Sequence, residues 1–306
     1  MKSRRNRRFN IVEKQDKFQI VGPGRRNEDV VEEKKSVRKL PYVSLMILGV
    51  IVLGCLCADL LSNQDASYMD LMNYSKPPCR QFLFGTDNLG RDLFSCIWHG
   101  GRVSLFIGVV ATVISTFLAV VYGALSGLAS DIVDTIMMRA TEIMLSIPSL
   151  LLIIFIQAIL GDPTMLSIAF IIGITNWCSI AKVVRTEVRQ IRKSEYVVAS
   201  KCMGGGFFHI LAKHLGPNFI SAIMFMVVMN IRSAIVTEST LSFMGMGLPL
   251  DVISWGSLLS LSDKALMTKS WWIIMIPGLF LIVLLICLTN VGNWLRKSVN
   301  QKESNL

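Results

Sequence analysis

The sequence predicts an all-α polytopic membrane protein with about six transmembrane helices, and three observations carry that prediction. Apolar residues make up 52% of the 306-residue chain, and they are clumped into near-uncharged runs of about twenty residues. That length crosses a roughly 30 Å hydrocarbon core as helix, the expected spanning form because backbone groups in lipid must be satisfied within their own segment. The formal charge of +10 gathers in segments that flank these runs, so here it reports topology rather than nucleic-acid binding. Two of those segments are strongly basic, and the positive-inside rule places both in the cytoplasm, which requires an even number of spans between them.

Residues 1–41 form the first basic segment, a cytoplasmic tail with 13 Lys and Arg against 6 Asp and Glu. A basic arm on RNA or anionic lipid is the alternative reading of its composition. No cleavable signal peptide is evident, since the first apolar run follows this long tail and is long enough to span. Residues 42–61 are that first span, running outward. Residues 62–101 are polar, carry turn signals at Pro77, Pro78, Gly85 and Gly90, and are too long for a simple bundle connection. They are placed outside, with a short amphipathic helix over 90–99.

A second span over 103–128 returns the chain inward. The third begins near Asp134, carries Arg139 and Glu142 in its first turns, where long side chains reach the interface, and continues as one apolar stretch over 143–160. A fourth span over 165–181 leads into the second basic segment, which holds Lys182, Arg185, Arg189, Arg192, Lys193, Lys201 and Lys213 against Glu187 and Glu195. The fifth span starts after Pro217 and Asn218 and runs towards Glu238, with Arg232 inside it. An external stretch with Pro249, Asp251, Trp255 and Lys264 follows. The last span, 271–291, opens on Trp271 and Trp272 and closes with Trp294, Arg296 and Lys297, residues suited to the two interfaces. Residues 299–306 are a short cytoplasmic tail.

Chemistry is sparse. The chain has no G-x-x-x-x-G-K-[ST] phosphate loop, H-E-x-x-H or G-x-S-x-G, so nucleotide handling falls to a partner and enzymatic function is unsupported. The seven cysteines form no C-x-x-C pair, and His99, His209 and His214 have no metal or triad spacing. No metal or cofactor site is expected on this chain. Charged and polar residues inside spans are functional candidates, because they are costly there: Asn176, Asn230, Arg232 and Glu238. Arg232 and Glu238, six residues apart, fall about 9 Å apart along a helix and some 120° round it, which favours separate partners over a mutual salt bridge. Glu238 reads either as lining the outer end of a pathway or as glue to a neighbouring helix, and Asn176 and Asn230 share that ambiguity.

The most unusual segment is cytoplasmic: Glu195-Tyr-Val-Val-Ala-Ser-Lys-Cys-Met-Gly204, then Gly205, Gly206 and Phe207, up to Leu215-Gly-Pro-Asn218. It reads as a short helix, a glycine break, a second short amphipathic helix and a proline-set start to the fifth span, a compact knob for a soluble partner. A plain connecting loop is the alternative. This segment resembles the EAA loop of importer-type ABC permeases. Three further stretches resemble the dipeptide, oligopeptide and nickel branch: Phe84-Gly-Thr-Asp-Asn-Leu-Gly-Arg-Asp-Leu93 with Gly101, Arg102, Ser104 and Leu105; Asp134 with Met138, Arg139, Glu142, Leu145, Ile147 and Pro148; and Glu238-Ser-Thr-Leu-Ser-Phe-Met-Gly-Met-Gly247 with Trp255 and Gly256. Two positions depart from the loop pattern, Ser200 for a second Ala and Gly216 for Leu before the Pro.

The resemblance covers residues 42 to the end and implies a type I ABC importer permease (MetI-like) core over 102–298, of the second-permease type. It implies a coupling helix docking on the ATP-binding subunit, with Glu195, Tyr196, Ala199, Ser200, Gly204 and Phe207 in the contact. Glu195 either caps the short helix or pairs with a basic group of the partner. The implied partners are a second, similar permease forming a heterodimer, two ATP-binding subunits that carry ATP and Mg, and an extracytoplasmic binding protein facing residues 84–102 and 245–265. The implied cargo is di- or oligopeptide, with nickel or another metal chelate as the alternative. Secondary transport is disfavoured by the lack of an internal repeat and of mid-span coupling carboxylates, and a non-transporting scaffold remains the third reading.

Overall fold

The computed structural model of the protein describes residues 41–193, 216–249 and 251–303. Of the expected tails over 1–41 and 299–306, residues 1–40 and 304–306 lie outside the described residues, as does the segment 194–215, whereas 299–303 continue the last helix.

Among the described residues the regular elements are ten α-helices and one 3-10 turn, with a single isolated β-bridge between Thr86 and Asp92 in the loop cover. Helix α1, Tyr42–Leu56, continues after a break at Cys57 into α2, Ala58–Leu61. At 15 residues α1 is short for a span, and its carbonyl end is tied down from outside: Arg102 donates to the carbonyls of Cys55 (3.1 Å) and Leu56 (2.9 Å) and pairs with Asp59. A 3-10 turn, Leu71–Asn73, follows, started by the Asp70 carboxylate accepting from the Met72 N–H.

Helix α3, Leu93–Leu128, is a single 36-residue element. The separate amphipathic helix expected over 90–99 is therefore its first turns. Asp92 caps it by accepting from the backbone and hydroxyl of Ser95, and Gly100 and Gly101 do not break it because tertiary packing uses their missing side chains. A Cβ on Gly101 would lie 2.5 Å from Cys55 Sγ and 2.6 Å from the Trp255 ring.

The third span is broken, which corrects the expectation of one straight apolar helix. Helix α4, Asp131–Ser146, and α5, Ser149–Leu160, meet at 87°. Pro148 supplies the reason: it has no N–H for the preceding turn and pushes Ile147 into an extended conformation. Helix α6, Met165–Arg192, starts with a capping box between Thr164 and Ser167 and runs eleven residues past the expected end at 181. Its basic extension is held by acids of α4 and by Arg192 donating to the last carbonyls of α3, Leu128 and Ala129. Helices α7, Gly216–Phe243, α8, Trp255–Ser260, α9, Ser262–Met267, and α10, Trp272–Glu303, complete the chain.

Among the described residues four helices, α3, α6, α7 and α10, are long and apolar enough to cross a membrane, the bent α4–α5 pair supplies a fifth span, and α1 is a shorter apolar helix. With α1 and α2 counted as one pass, the architecture is the expected one of about six. Helices α3 and α6 pack most closely, through glycine: a Cβ on Gly173 would come within 2.8 Å of Ile114, and one on Gly123 within 2.6 Å of the Ala181 carbonyl. One end of the bundle is basic, gathering Lys182, Arg185, Arg189 and Arg192. The opposite end is covered by residues 62–92 and the short helices α8 and α9.

That cover is built, not loose. Asp87 and Arg91 form a buried ion pair at 2.6 Å, Trp272 donates its indole N–H to the Thr86 carbonyl at 3.1 Å, and Asn88 reaches the Leu261 carbonyl. Gly90, at φ 75°, passes so close to Asp70 that a Cβ would lie 1.8 Å from its carbonyl oxygen, so glycine alone fits the turn.

Candidate functional site: a polar cleft at mid-depth

The bent third span leaves a cleft where its corner faces α6 and α7. The cleft has a volume of about 410 Å³ and is lined by Met144, Leu145 and Ile147 before the break and Pro148, Ser149 and Leu152 after it, by Thr175, Asn176, Ser179 and Ile180 of α6, and by Phe225, Met226, Met229, Asn230 and Ser233 of α7. Asn176 lies eleven residues into α6, about 16 Å along its axis, so the cleft sits near the middle of the bundle. The Asn230 amide donates to Ser115 Oγ of α3, which in turn donates to the Thr112 carbonyl at 3.1 Å. The Asn176 amide nitrogen is buried and has no hydrogen-bond partner among the described residues.

The rim decides what the cleft faces. Pro148, Ser149, Ser179 and Ser233 are exposed at its mouth. Elsewhere the outward rows are apolar: Val109, Val113 and Phe117 on α3, Leu151, Phe155 and Ile159 on α5, Leu279, Ile282 and Ile286 on α10. Those rows suit hydrocarbon, whereas three exposed serines around two buried amides suit water or a polar solute. No charged side chain lines the cleft among the described residues. It offers neutral donors and acceptors and thioethers, chemistry for holding or passing a solute rather than for making or breaking bonds.

Two further span residues singled out from sequence lie elsewhere. Glu238 is fully buried and accepts from Ser104 at 3.0 Å, Ser242 at 3.0 Å and Ser239 at 3.4 Å. Ser104 accepts the Trp255 backbone N–H at 3.3 Å. The carboxylate thus ties α3, α7 and the N-terminus of α8 together beneath the loop-covered end. Arg232 is half-buried, does not line the cleft, makes no bond to Glu238, and leaves its Nε buried without a partner among the described residues.

At the basic end the structure assembles a network that sequence reasoning missed. Asp134 is buried in the first turn of α4 and accepts from Ser126 of α3 at 2.6 Å, from both edges of the Arg185 guanidinium and from Arg189 at 3.1 Å. Arg189 also pairs with Asp131, Arg139 with Glu142, and Lys182 approaches Glu142 at 3.9 Å. The legible signal was Arg185 and Arg189 at i, i+4, presenting two guanidiniums on one face of α6. This network borders the segment in which Glu195, Tyr196, Ala199, Ser200, Gly204 and Phe207 fall, all outside the described residues.

Comparison with known proteins adds the following. Residues 119–304 match the model of a family described as binding-protein-dependent transport system inner membrane component. The oligopeptide transport system permease protein OppC of Bacillus subtilis (strain 168) is 36% identical over 264 residues, covering 86% of each chain. The dipeptide transport system permease protein DppC of the same organism is 33% identical over 264 residues, covering 86% of this chain and 82% of the relative. A putative peptide permease protein of Brucella suis is 29% identical over 259 residues, covering 84% and 85%.

Proposed function

The chain belongs to the family of binding-protein-dependent transport system inner membrane components, and on that premise we propose that it is one of two permease subunits of an ATP-driven peptide importer. It contributes half of the pathway. The observation that carries the reading is the neutral polar cleft opening at mid-depth on a surface otherwise apolar. Relatives that transport oligopeptides and dipeptides, and a cleft without carboxylate or imidazole lining among the described residues, favour peptides over nickel or other metal chelates as cargo.

In this reading the basic end, with Arg185, Arg189 and Arg192 and the two termini, faces the cytoplasm, and the cover built from residues 62–92, α8 and α9 faces outward towards a substrate-binding protein. Hydrolysis of ATP, with Mg, belongs to two separate ATP-binding subunits. A second, similar permease completes the pathway, with no nucleic acid involved. Residues 195–209 form the coupling knob: Ala199, Ser200 and Gly204 give close approach, and Glu195, Tyr196 and Phe207 its contact face.

The test is reconstitution with both permeases, the ATP-binding subunits and the binding protein in vesicles, followed by peptide uptake. Gly204→Val and Glu195→Lys leave insertion near normal while weakening recovery of the ATP-binding subunits and substrate-stimulated ATP turnover. If both variants match wild type in assembly and transport, the coupling role is wrong.

A further inference from the structure

The cleft has the chemistry of one particular kind of solute. Its polar groups are amides and hydroxyls, donors and acceptors without charge, and the rest of the wall is apolar, with the thioethers Met144, Met226 and Met229 set among aliphatic side chains and Phe225. Thioether side chains are unbranched and adaptable, and they line surfaces that accept apolar groups of varied shape. A volume of 410 Å³ lies within the roughly 300–1,000 Å³ of small-molecule sites.

Two features supply backbone-like recognition. The buried Asn176 Nδ2 has no partner among the described residues, and a buried donor without an acceptor is uncommon enough to require an account. One N–H of the Asn230 amide is engaged by Ser115, which fixes the amide's orientation and leaves its carbonyl oxygen as an acceptor. The break at Pro148 adds to this. Proline cannot donate to the last turn of α4, and α5 begins without a side-chain cap, so carbonyls of one helix end and N–H groups of the next lack intrahelical partners at the cleft's lip. Broken helices meeting solute at mid-membrane are a recurrent transporter device.

We propose that this cleft is a cargo subsite that reads peptide groups rather than side chains or termini: Asn176 donates to a cargo carbonyl, Asn230 and the α4 carbonyl end accept from cargo N–H groups, and the methionines bed whatever side chain follows. The inference rests on the peptide-importer reading and deepens it. With no charge in the wall, neither a terminus nor an ionised side chain is trapped, and the neutral contacts stay weak enough for the cargo to leave, as transport requires.

The experiment uses the complete complex in vesicles with trialanine as the probe, delivered by saturating loaded binding protein. Asn176→Leu, which removes the donor, lowers the maximal uptake rate about fivefold, the size of one net hydrogen bond, and Asn176→Gln restores it to within about twofold. In a chain with Cys57, Cys79 and Cys202 changed to Ser, Ser233→Cys reacts with a water-soluble maleimide, and trialanine turnover slows that reaction at least fivefold. If the wild-type complex takes up no peptide, the importer reading itself falls. If it takes up trialanine but Asn176→Leu does so at the wild-type rate, or Ser233→Cys reacts only with a lipid-soluble reagent, the subsite alone is overturned.

Discussion

Removing the Asp134 carboxylate tests the packing of the basic end most directly. The side chain is 3% exposed and holds Ser126 of α3 together with Arg185 and Arg189 of α6, so Asp134→Ala releases three helices from one point. Breaking a buried ion pair by deleting one partner costs about 3–5 kcal/mol, because the other charge stays behind uncompensated. Arg185 keeps 26% exposure and lies near the end of α6, where water can solvate it. The lower figure, about 3 kcal/mol, therefore applies, and at about 2–4 °C per kcal/mol for a large chain the melting temperature falls by about 6–12 °C. The assay is thermal melting of the purified protein in detergent, repeated for Arg185→Ala and for the double variant. Since both single changes break the same pair, the double variant loses less than the sum by at least about 1 kcal/mol. A shift below 2 °C for Asp134→Ala, or strict additivity, refutes the account of the network as one coupled unit.

The serine cage gives a second expectation. Glu238→Ala strands the hydroxyl donors of Ser104 and Ser242 and lowers melting temperature more than Glu238→Gln, which keeps an acceptor oxygen, by about 1–3 kcal/mol equivalent; equal melting of the two variants contradicts the cage. Topology gives a third: a cysteine at Met72, 87% exposed on the loop-covered end, is labelled by impermeant reagent in intact cells whereas one at Lys193 is protected, and external labelling at 193 overturns the orientation.

Much of this was legible before any coordinates. The apolar runs and their basic flanks give the number of passes, because hydrocarbon thickness and backbone satisfaction leave little freedom, and Asn176 and Asn230 stood out because amides are expensive in a span. The ends of helices were harder to read. Arg139 and Glu142 looked like interfacial side chains and Asp134 marked only the start of a span, since nothing local reveals that Lys182 comes to meet Glu142, or that Arg185 and Arg189, about fifty residues away, come to meet Asp134. Pro148 was visible as a residue, but the third span was read straight because composition reports apolarity and not axis direction.

By itself the sequence determined the class of molecule, an all-α membrane protein with about six spans and an importer-permease signature, because those properties depend on composition, periodicity and local motifs. Only tertiary structure decided that Glu238 sits in a cage of serines drawn from α3 and α7, that Asn176 and Asn230 border one cleft, and that Gly100 and Gly101 make room for a neighbour instead of ending a helix. The physical reason is common to all three. A buried polar group or a missing side chain acquires its meaning from the atoms opposite it, and those atoms come from helices distant in the chain whose rotation and crossing no local pattern specifies.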